Sequence, residues 1–204
     1  MNFESYENSW RSLKTEITNM LNDEHYRTSF DVCYRHAYEI VIHKQGEKLY
    51  FDLEEVLKSH LIEKVRPRIT NASDFLPKLF ESRTVFCDSL VSFRDILNYL
   101  ERVFITAKRR ELLYVIELGK HLFNTEIILN PNVCDRMKTV MSEMIESSRK
   151  SKNWEELKAS SKILLELGDG NRKIYEEWCE KVFLEKSAEF YKSESQKYLK
   201  NGSF

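Results

Sequence analysis

Apolar side chains return every three or four residues along almost the whole chain, and this period is what most limits the folds open to it. One run is Tyr6, Trp10, Leu13, Ile17 and Met20/Leu21; a later one is Phe86, Leu90, Phe93, Leu97, Leu100 and Phe104. At 3.6 residues per turn each run falls on one face of an α-helix, whereas a strand would need strict alternation, and no convincing alternation occurs. Turn formers are scarce too: five Gly and three Pro in 204 residues favour long helices over many tight turns. The pattern predicts helices over about 4–21, 28–44, 47–65, 82–106, 110–123, 132–149, 153–167 and 172–200. Thr28 or Ser29 can cap the second helix, and Gly46 separates it from the third. Pro67 reads as the stop of the third helix and Pro131 as a residue just inside a helix start. Gly168-Asp169-Gly170 reads as a helix C-cap and turn. Residues 66–77 read as irregular or partly helical. The expected fold class is all-α, made of stacked helical units. Two halves of similar rhythm, 1–107 and 108–204, read as two copies of one unit.

Composition narrows the function classes. Apolar residues make up 42% and charged residues 32%, a mixture that folds rather than staying disordered. The net charge of −1 supplies no field that would draw the chain to nucleic acid or an anionic membrane. No apolar run approaches the roughly 20 residues that span a bilayer, and MNFESYENSW has neither the basic nor the apolar stretch of a secretory leader. Cys33, Cys87, Cys134 and Cys179 are widely spaced, without a CxxC or a histidine at ligand spacing. They read as reduced, mostly buried thiols of a cytosolic or nuclear protein.

Signatures of catalysis are missing. No Gly-rich phosphate loop, GxSxG, HExxH or dinucleotide fingerprint occurs. His36 and His43 are seven residues apart, too far for a metal pair on a helix. Carboxylate pairs such as Asp52/Glu55 and Glu176/Glu177 stand among lysines and arginines and read as solvated helix faces. Lys108-Arg109-Arg110 is too short for a nucleic-acid footprint. Neither a metal nor a cofactor is expected.

The segment Thr28–Lys44, TSFDVCYRHAYEIVIHK, carries more apolar surface than one-sided packing uses. Projected at about 100° per residue, its apolar residues cover an arc of roughly 200°, where a core-facing stripe needs little more than about 100°. Cys33, Ala37, Ile40 and Val41 can face a core. Phe30, Tyr34 and Tyr38 form a second row at i, i+4 and i+8, edged by Asp31 and Arg35. An aromatic row bordered by charge has the composition of a protein–protein contact. Burial on two sides inside a bundle would give the same pattern. Further along, the stripe of the predicted 82–106 helix leaves Tyr99, Arg102 and Asp95 on its opposite edge.

The residues also resemble a family. Ser29-Phe30-Asp31-Val32-Cys33-Tyr34-Arg35-His36-Ala37-Tyr38, then Val41-Ile42-His43-Lys44-Gln45-Gly46-Glu47-Lys48-Leu49-Tyr50, look like the cullin-3 branch pattern S-F-x-x-x-Y-R-x-A-Y…V-L-H-K-x-G-E-K-L-Y. Phe93 to Phe104, FRDILNYLERVF, is similar to the cullin segment R-D-I-L-x-Y-x-D-R-V-Y. Tyr175-Glu176-Glu177, then Phe183-Leu184-Glu185-Lys186-Ser187-Ala188-Glu189-Phe190-Tyr191, resemble Y-E-E…F-L-x-x-S-A-E-F-F, and Glu194 to Leu199 extends the match. The blocks keep the family's order and spacing; residues 108–170 match in rhythm only.

The resemblance implies an elongated stalk of five-helix cullin repeats: a first repeat over 1–107 with the adaptor-binding face, and a second over 108–204, incomplete at its end. It implies a non-catalytic scaffold of a cullin-RING ubiquitin ligase. In cullin-3 proteins the second and fifth helices of the first repeat bind the BTB domain of substrate adaptors. The matching positions are Ser29, Phe30, Asp31, Tyr34, Arg35, Tyr38, Tyr99 and Arg102. A dimeric BTB adaptor would bring two chains into a 2:2 assembly. The RING protein and the modifier Nedd8 attach to a C-terminal half outside these residues, so ubiquitin transfer by this chain alone is not expected. A decoy that withholds adaptors from intact ligases, and a stalk that binds a Skp-type adaptor, are the alternatives. Against the family pattern, Thr28 and Cys33 stand where Leu is usual and Asp31 where Glu is. Each loses contact area worth on the order of 1 kcal/mol at about 25 cal/mol per Å². Met1 lies almost at the first helix, so the N-terminal extension that contacts adaptors in the family is expected to be short or missing.

Overall fold

The computed structural model describes residues 3–22, 29–168 and 171–201, and all of its regular structure is helical. In chain order the helices are α1 (Phe3–Leu21), α2 (Phe30–Ile42), α3 (Gly46–His60), α4 (Arg66–Thr70), α5 (Phe75–Ile96), α6 (Val115–Phe123), α7 (Pro131–Ser151), α8 (Glu155–Leu167), the single turn α9 (Lys173–Tyr175) and α10 (Lys181–Asn201). Four π turns interrupt this pattern, at Leu61–Val65, Leu100–Ile105, Asn124–Ile128 and Glu176–Glu180. Thr28, Asp169 and Gly170, read above as cap and turn residues, lie outside the described residues; Gly168 does cap α8.

Pro67 is used differently from expectation. Pro67 does not stop a helix: α3 runs through the first π turn into α4 with right-handed helical backbone throughout. The amide of Arg66 reaches back five residues to the Leu61 carbonyl. That wide turn shifts the hydrogen-bond register just where Pro67 lacks an N–H and its ring needs room. Residues 66–77 are therefore mostly ordered helix, and α5 begins at Phe75 rather than near 82. Pro77 is tolerated because the first four amides of a helix have no partner within it. Residues 109–114 are not helical, so α6 starts later than expected. Its start is fixed by two carboxylates: Tyr114 donates its amide to Glu117 at 3.1 Å and Val115 donates to Glu101 at 2.8 Å. Burial raises the pKa of Glu101. Pro131 opens α7, as its fixed φ favours.

Two compact units share the chain. The first comprises residues 1–71 and 81–130, the second 72–80 and 131–204. In the first, Leu13, Ile17, Ile40, Leu49, Leu53, Leu57, Leu90 and Phe93 form a fully buried centre. Tyr6 ties α1 to α3 by donating to the Asp52 carboxylate at 2.5 Å, and burial together with that carboxylate pushes the phenol's pKa well up. Arg66 holds the third π turn through the Glu126 carbonyl, at 2.6 Å, and the Glu126 carboxylate. In the second unit Val133, Met137, Met141 and Ile145 of α7 form a row at helical spacing, buried with Leu157 and Leu164 of α8 and with Trp178. The division at 107/108 expected from rhythm concerns repeat copies rather than packing units.

Candidate protein-interaction face

All eight residues singled out in the sequence lie in the first unit, on or beside α2 and the π turn Leu100–Ile105. The start of α2 is set by Ser29, whose extended backbone (φ −62°, ψ 142°) lets its carbonyl accept from the Val32 amide at 3.0 Å. Its hydroxyl makes no cap bond. Asp31 places a negative charge in the first turn, where the helix dipole favours it. The end of α2 is a Schellman motif: the Gln45 amide reaches the Ile40 carbonyl and the Lys44 amide reaches that of Val41, at 3.1 and 3.0 Å. Lys44 takes the left-handed position this needs, at φ 60°. Gly46 then opens α3 against Phe104. A Cβ on Gly46 would sit 3.0 Å from the Phe104 ring, so a larger residue here would need the ring to give way by a few tenths of an ångström.

The wide apolar arc of α2 splits as projected. Cys33, Ala37, Ile40 and Val41 are buried. On the other side Phe30 is 50% exposed and Tyr38 36%, while Tyr34 is half-buried between them. The Tyr34 and Tyr38 rings stack at 6.3 Å between centroids, with 22° between planes. Tyr99 comes in from the second helical segment, and its ring lies 4.5 Å from that of Tyr38. Three rings thus make one continuous surface across two segments 61 residues apart in sequence. Such contacts fix side chains before any partner arrives, which lowers the entropy cost of association.

Charge surrounds the rings. Ser29, Asp31, Arg35 and Arg102 are exposed. Among the described residues no hydrogen bond or ion pair engages Asp31, Arg35 or Arg102. Asp95 differs: its carboxylate accepts from Arg94 at 2.7 and 2.9 Å. Two exposed apolar residues went unassigned in the projection, Ile42 (47%) and Val103 (48%). The signal for both was present, four residues after Tyr38 and after Tyr99.

A concavity of about 360 Å³ runs between α1 and α3, lined among others by Trp10, Lys14, Val56, His60 and Glu63. Burial lowers the pKa of His60 to about 4, helped by Lys64, so it is neutral at pH 7. Among the described residues no three His, Cys, Asp or Glu side chains gather as metal ligands, and no described helix is long and apolar enough to cross a membrane.

Comparison with known proteins agrees with the helical architecture. The family described as "Cullin alpha solenoid domain" matches residues 10–204. Cullin-3 of Caenorhabditis elegans is 33% identical over 196 residues, which cover 94% of this chain and 25% of that protein. Cullin-3B of Arabidopsis thaliana is 29% identical over 197 residues, 95% of this chain and 26% of its own length. Cullin-3 of Dictyostelium discoideum is 28% identical over 199 residues, 96% of this chain and 26% of its own. The chain spans about a quarter of the length of these curated relatives.

Proposed function

The chain belongs to the cullin family, and we propose that it is the adaptor-recruiting part of a cullin-RING ubiquitin ligase scaffold, acting by association rather than catalysis. The observation that carries the reading is the packing of Tyr38 on Tyr99 at a surface. It joins α2 and the residue that leads into the π turn Leu100–Ile105 into one aromatic face, and the relatives matched are cullin-3 proteins.

The partner proposed is the BTB domain of a substrate adaptor. Phe30, Tyr34 and Tyr38 anchor it, and Tyr99 extends the patch. Aromatic anchors in a partly desolvated cluster dominate interface energies, and arginines add directed hydrogen bonds. Arg35 and Arg102 fill that second role, with Ser29 and Asp31 at the helix start supplying a hydroxyl and a negative charge. A dimeric adaptor would assemble two chains, 2:2. The RING protein would be held by parts of the ligase beyond these residues. The reading also takes 1–107 and 108–204 as successive cullin repeats and places the protein in the cytoplasm or nucleus.

Calorimetric titration of the chain with purified BTB domains, repeated with Tyr38→Lys, tests this. The expected result is binding that the variant weakens by more than about 2 kcal/mol, the hot-spot scale, with helicity unchanged. A folded chain that binds a Skp-type adaptor and no BTB domain would overturn the assignment of the partner.

A further inference from the structure

The second unit has an aromatic concavity of its own. Phe183, Ser187 and Phe190 recur at four and three residues, so they share one face of α10. The end of α7 meets that face: Arg149 donates to the Lys186 carbonyl at 2.8 Å and to the Ser187 hydroxyl at 2.6 Å. These bonds hold its guanidinium 6.0 Å from the centre of the Phe183 ring and 5.1 Å from that of Phe190, within reach of a cation–π attraction. Trp154, which precedes α8, meets the Phe183 ring edge-on at 6.1 Å. Together with Lys152 and Tyr191 these side chains line a concavity of about 260 Å³. Trp154 and Phe183 are half-buried, and Phe190 is 40% exposed.

Four rings and two cations line the concavity, and no carboxylate does. Among the described residues no carboxylate pairs with Arg149 or Lys152. Glu146 and Glu189 are drawn to Lys186 instead, each at 3.5 Å, and Glu155 to Lys158 at 2.9 Å. Lys152 stands just past α7 in the left-handed backbone position, at φ 55°. The volume falls below the roughly 300–1,000 Å³ of small-molecule sites, so it admits a side chain rather than a cofactor. Rings pair well with another ring, offset or edge to face, and a guanidinium with free donors pairs best with a carboxylate. Single-stranded nucleic acid also stacks on rings, but it needs a basic groove over about 4–16 nucleotides. On α10 the lysines are interrupted by Glu185, Glu189 and Glu194, which disfavours that ligand.

We propose that this concavity, where the end of α7 meets α10, docks an acidic peptide segment of a partner protein. An aromatic side chain of the peptide enters among Trp154, Phe183 and Phe190, and a neighbouring carboxylate faces Arg149 and Lys152. The receiving rings are held in advance, Phe183 by Trp154 and Arg149, and Phe190 by Arg149, so little ordering is left to the binding step. Charge complementarity sets the choice of partner: a basic peptide would place its cations against two that have no counter-ion. The site lies in the second unit, away from α2 in sequence, and neither reading depends on the other.

The test is titration of the whole chain with a blocked pentapeptide, a phenylalanine flanked by two acids on each side, read from the tryptophan indole N–H signals in NMR. Trp10 and Trp178 are buried, so the expected result is a saturable shift of the Trp154 signal alone. Affinity should fall about tenfold when the peptide carries alanine for phenylalanine or lysines for the acids, and it should weaken as salt rises. Phe190→Ala and Lys152→Gly in the chain should each cost about five- to tenfold; glycine suits the left-handed position at 152, so that variant keeps its fold and decides if Phe190→Ala misfolds. Absence of a Trp154 shift, equal binding of the lysine-substituted peptide, or variants within twofold of the wild type would overturn the proposal. So would inorganic phosphate or a short oligothymidylate that displaces the peptide at equal concentration, since either would make the site a general anion or nucleic-acid site. BTB titration of the same chain is read separately, so a failure here leaves the adaptor reading in place.

Discussion

On α2 and on α10, large apolar side chains reach solvent in different ways. Leu184, Tyr191 and Tyr198 of α10 recur every seven residues, so they share one stripe, and Tyr198 and Leu199 are 76% and 82% exposed. That is far more exposure than Tyr38 has. Yet among the described residues the only ring against Tyr191 is its own neighbour Phe190, and Tyr198 has none. On α2 the rings are less exposed but arrested: Tyr34 on Tyr38, Tyr38 on Tyr99, above a buried row that holds the helix in place. Exposed apolar area alone does not mark a recognition surface. The face proposed for adaptor contact differs in that two segments converge onto an already packed cluster, so the ordering cost of its side chains is met in folding rather than in binding.

The sharpest way to break this contrast is to compare the two sides of α2. Ile40→Ala removes a fully buried side chain and is expected to cost about 2–5 kcal/mol of stability in urea unfolding. Tyr38→Ala, two positions away, should cost about 1 kcal/mol, the scale of an aromatic pair. If the two losses match, Tyr38 belongs to the core and the contact face dissolves.

Acid separates the compact units. The described histidines, His36, His43, His60 and His121, fall within the first unit, and the described residues of the second hold none. Folded His60 takes up its proton only near pH 4, while the unfolded chain does so near 6.5. Between those values the unfolded state binds more protons, so stability is full above about pH 6.5 and falls as pH drops toward 4. Discounted for partial exposure, the loss is about 1–2 kcal/mol. Urea melts at pH 7 and 5 should show it, and His60→Gln should flatten the slope. Hydrogen exchange should place the loss in the unit beneath α2 and leave α10 unaffected.

Local rules made the faces of α2 legible and missed what joins them to the rest. The split between Cys33, Ala37, Ile40, Val41 and the tyrosine row follows from periodicity within 17 residues, a local property of the chain. The approach of Tyr99 to Tyr38 spans 61 residues and depends on how two segments cross. Projection put both on outer edges but could not bring them together; only the family resemblance paired them. Pro67 was misread because stop rules assume α-register, and the π turn before it changes that register. The late start of α6 depends on Glu101, fourteen residues upstream of the amide it accepts, and no helix-start pattern at 110–115 records it.

The end of α2 allows a finer probe. Lys44 sits at φ 60°, where a side chain costs about 1–2 kcal/mol. Lys44→Gly removes that cost but gives the unfolded chain more freedom, so the net stabilisation expected is about 0.5 kcal/mol. The same variant removes an exposed cation at the end of α2. A chain that melts slightly higher yet binds a BTB domain more weakly would extend the proposed contact face to the end of α2. Unchanged binding would confine recognition to the rings.

The smallest effect is expected on α10. Tyr198→Ser removes a ring that is three-quarters exposed and touches no other ring among the described residues. Surface changes away from packing, caps and buried networks stay within about 0.5 kcal/mol, and that is the stability change expected here. Binding of a BTB domain should change by less than twofold, in contrast to the loss expected from Tyr38→Lys. The reason is arrangement rather than chemistry: a tyrosine free to rotate must be ordered by its partner, at about 0.5–1.5 kcal/mol per side chain, whereas Tyr38 is already held by Tyr99. A loss of adaptor binding on Tyr198→Ser comparable to that of Tyr38→Lys would remove the distinction between the two helices, and with it the claim that prior packing is what makes α2 the recognition surface.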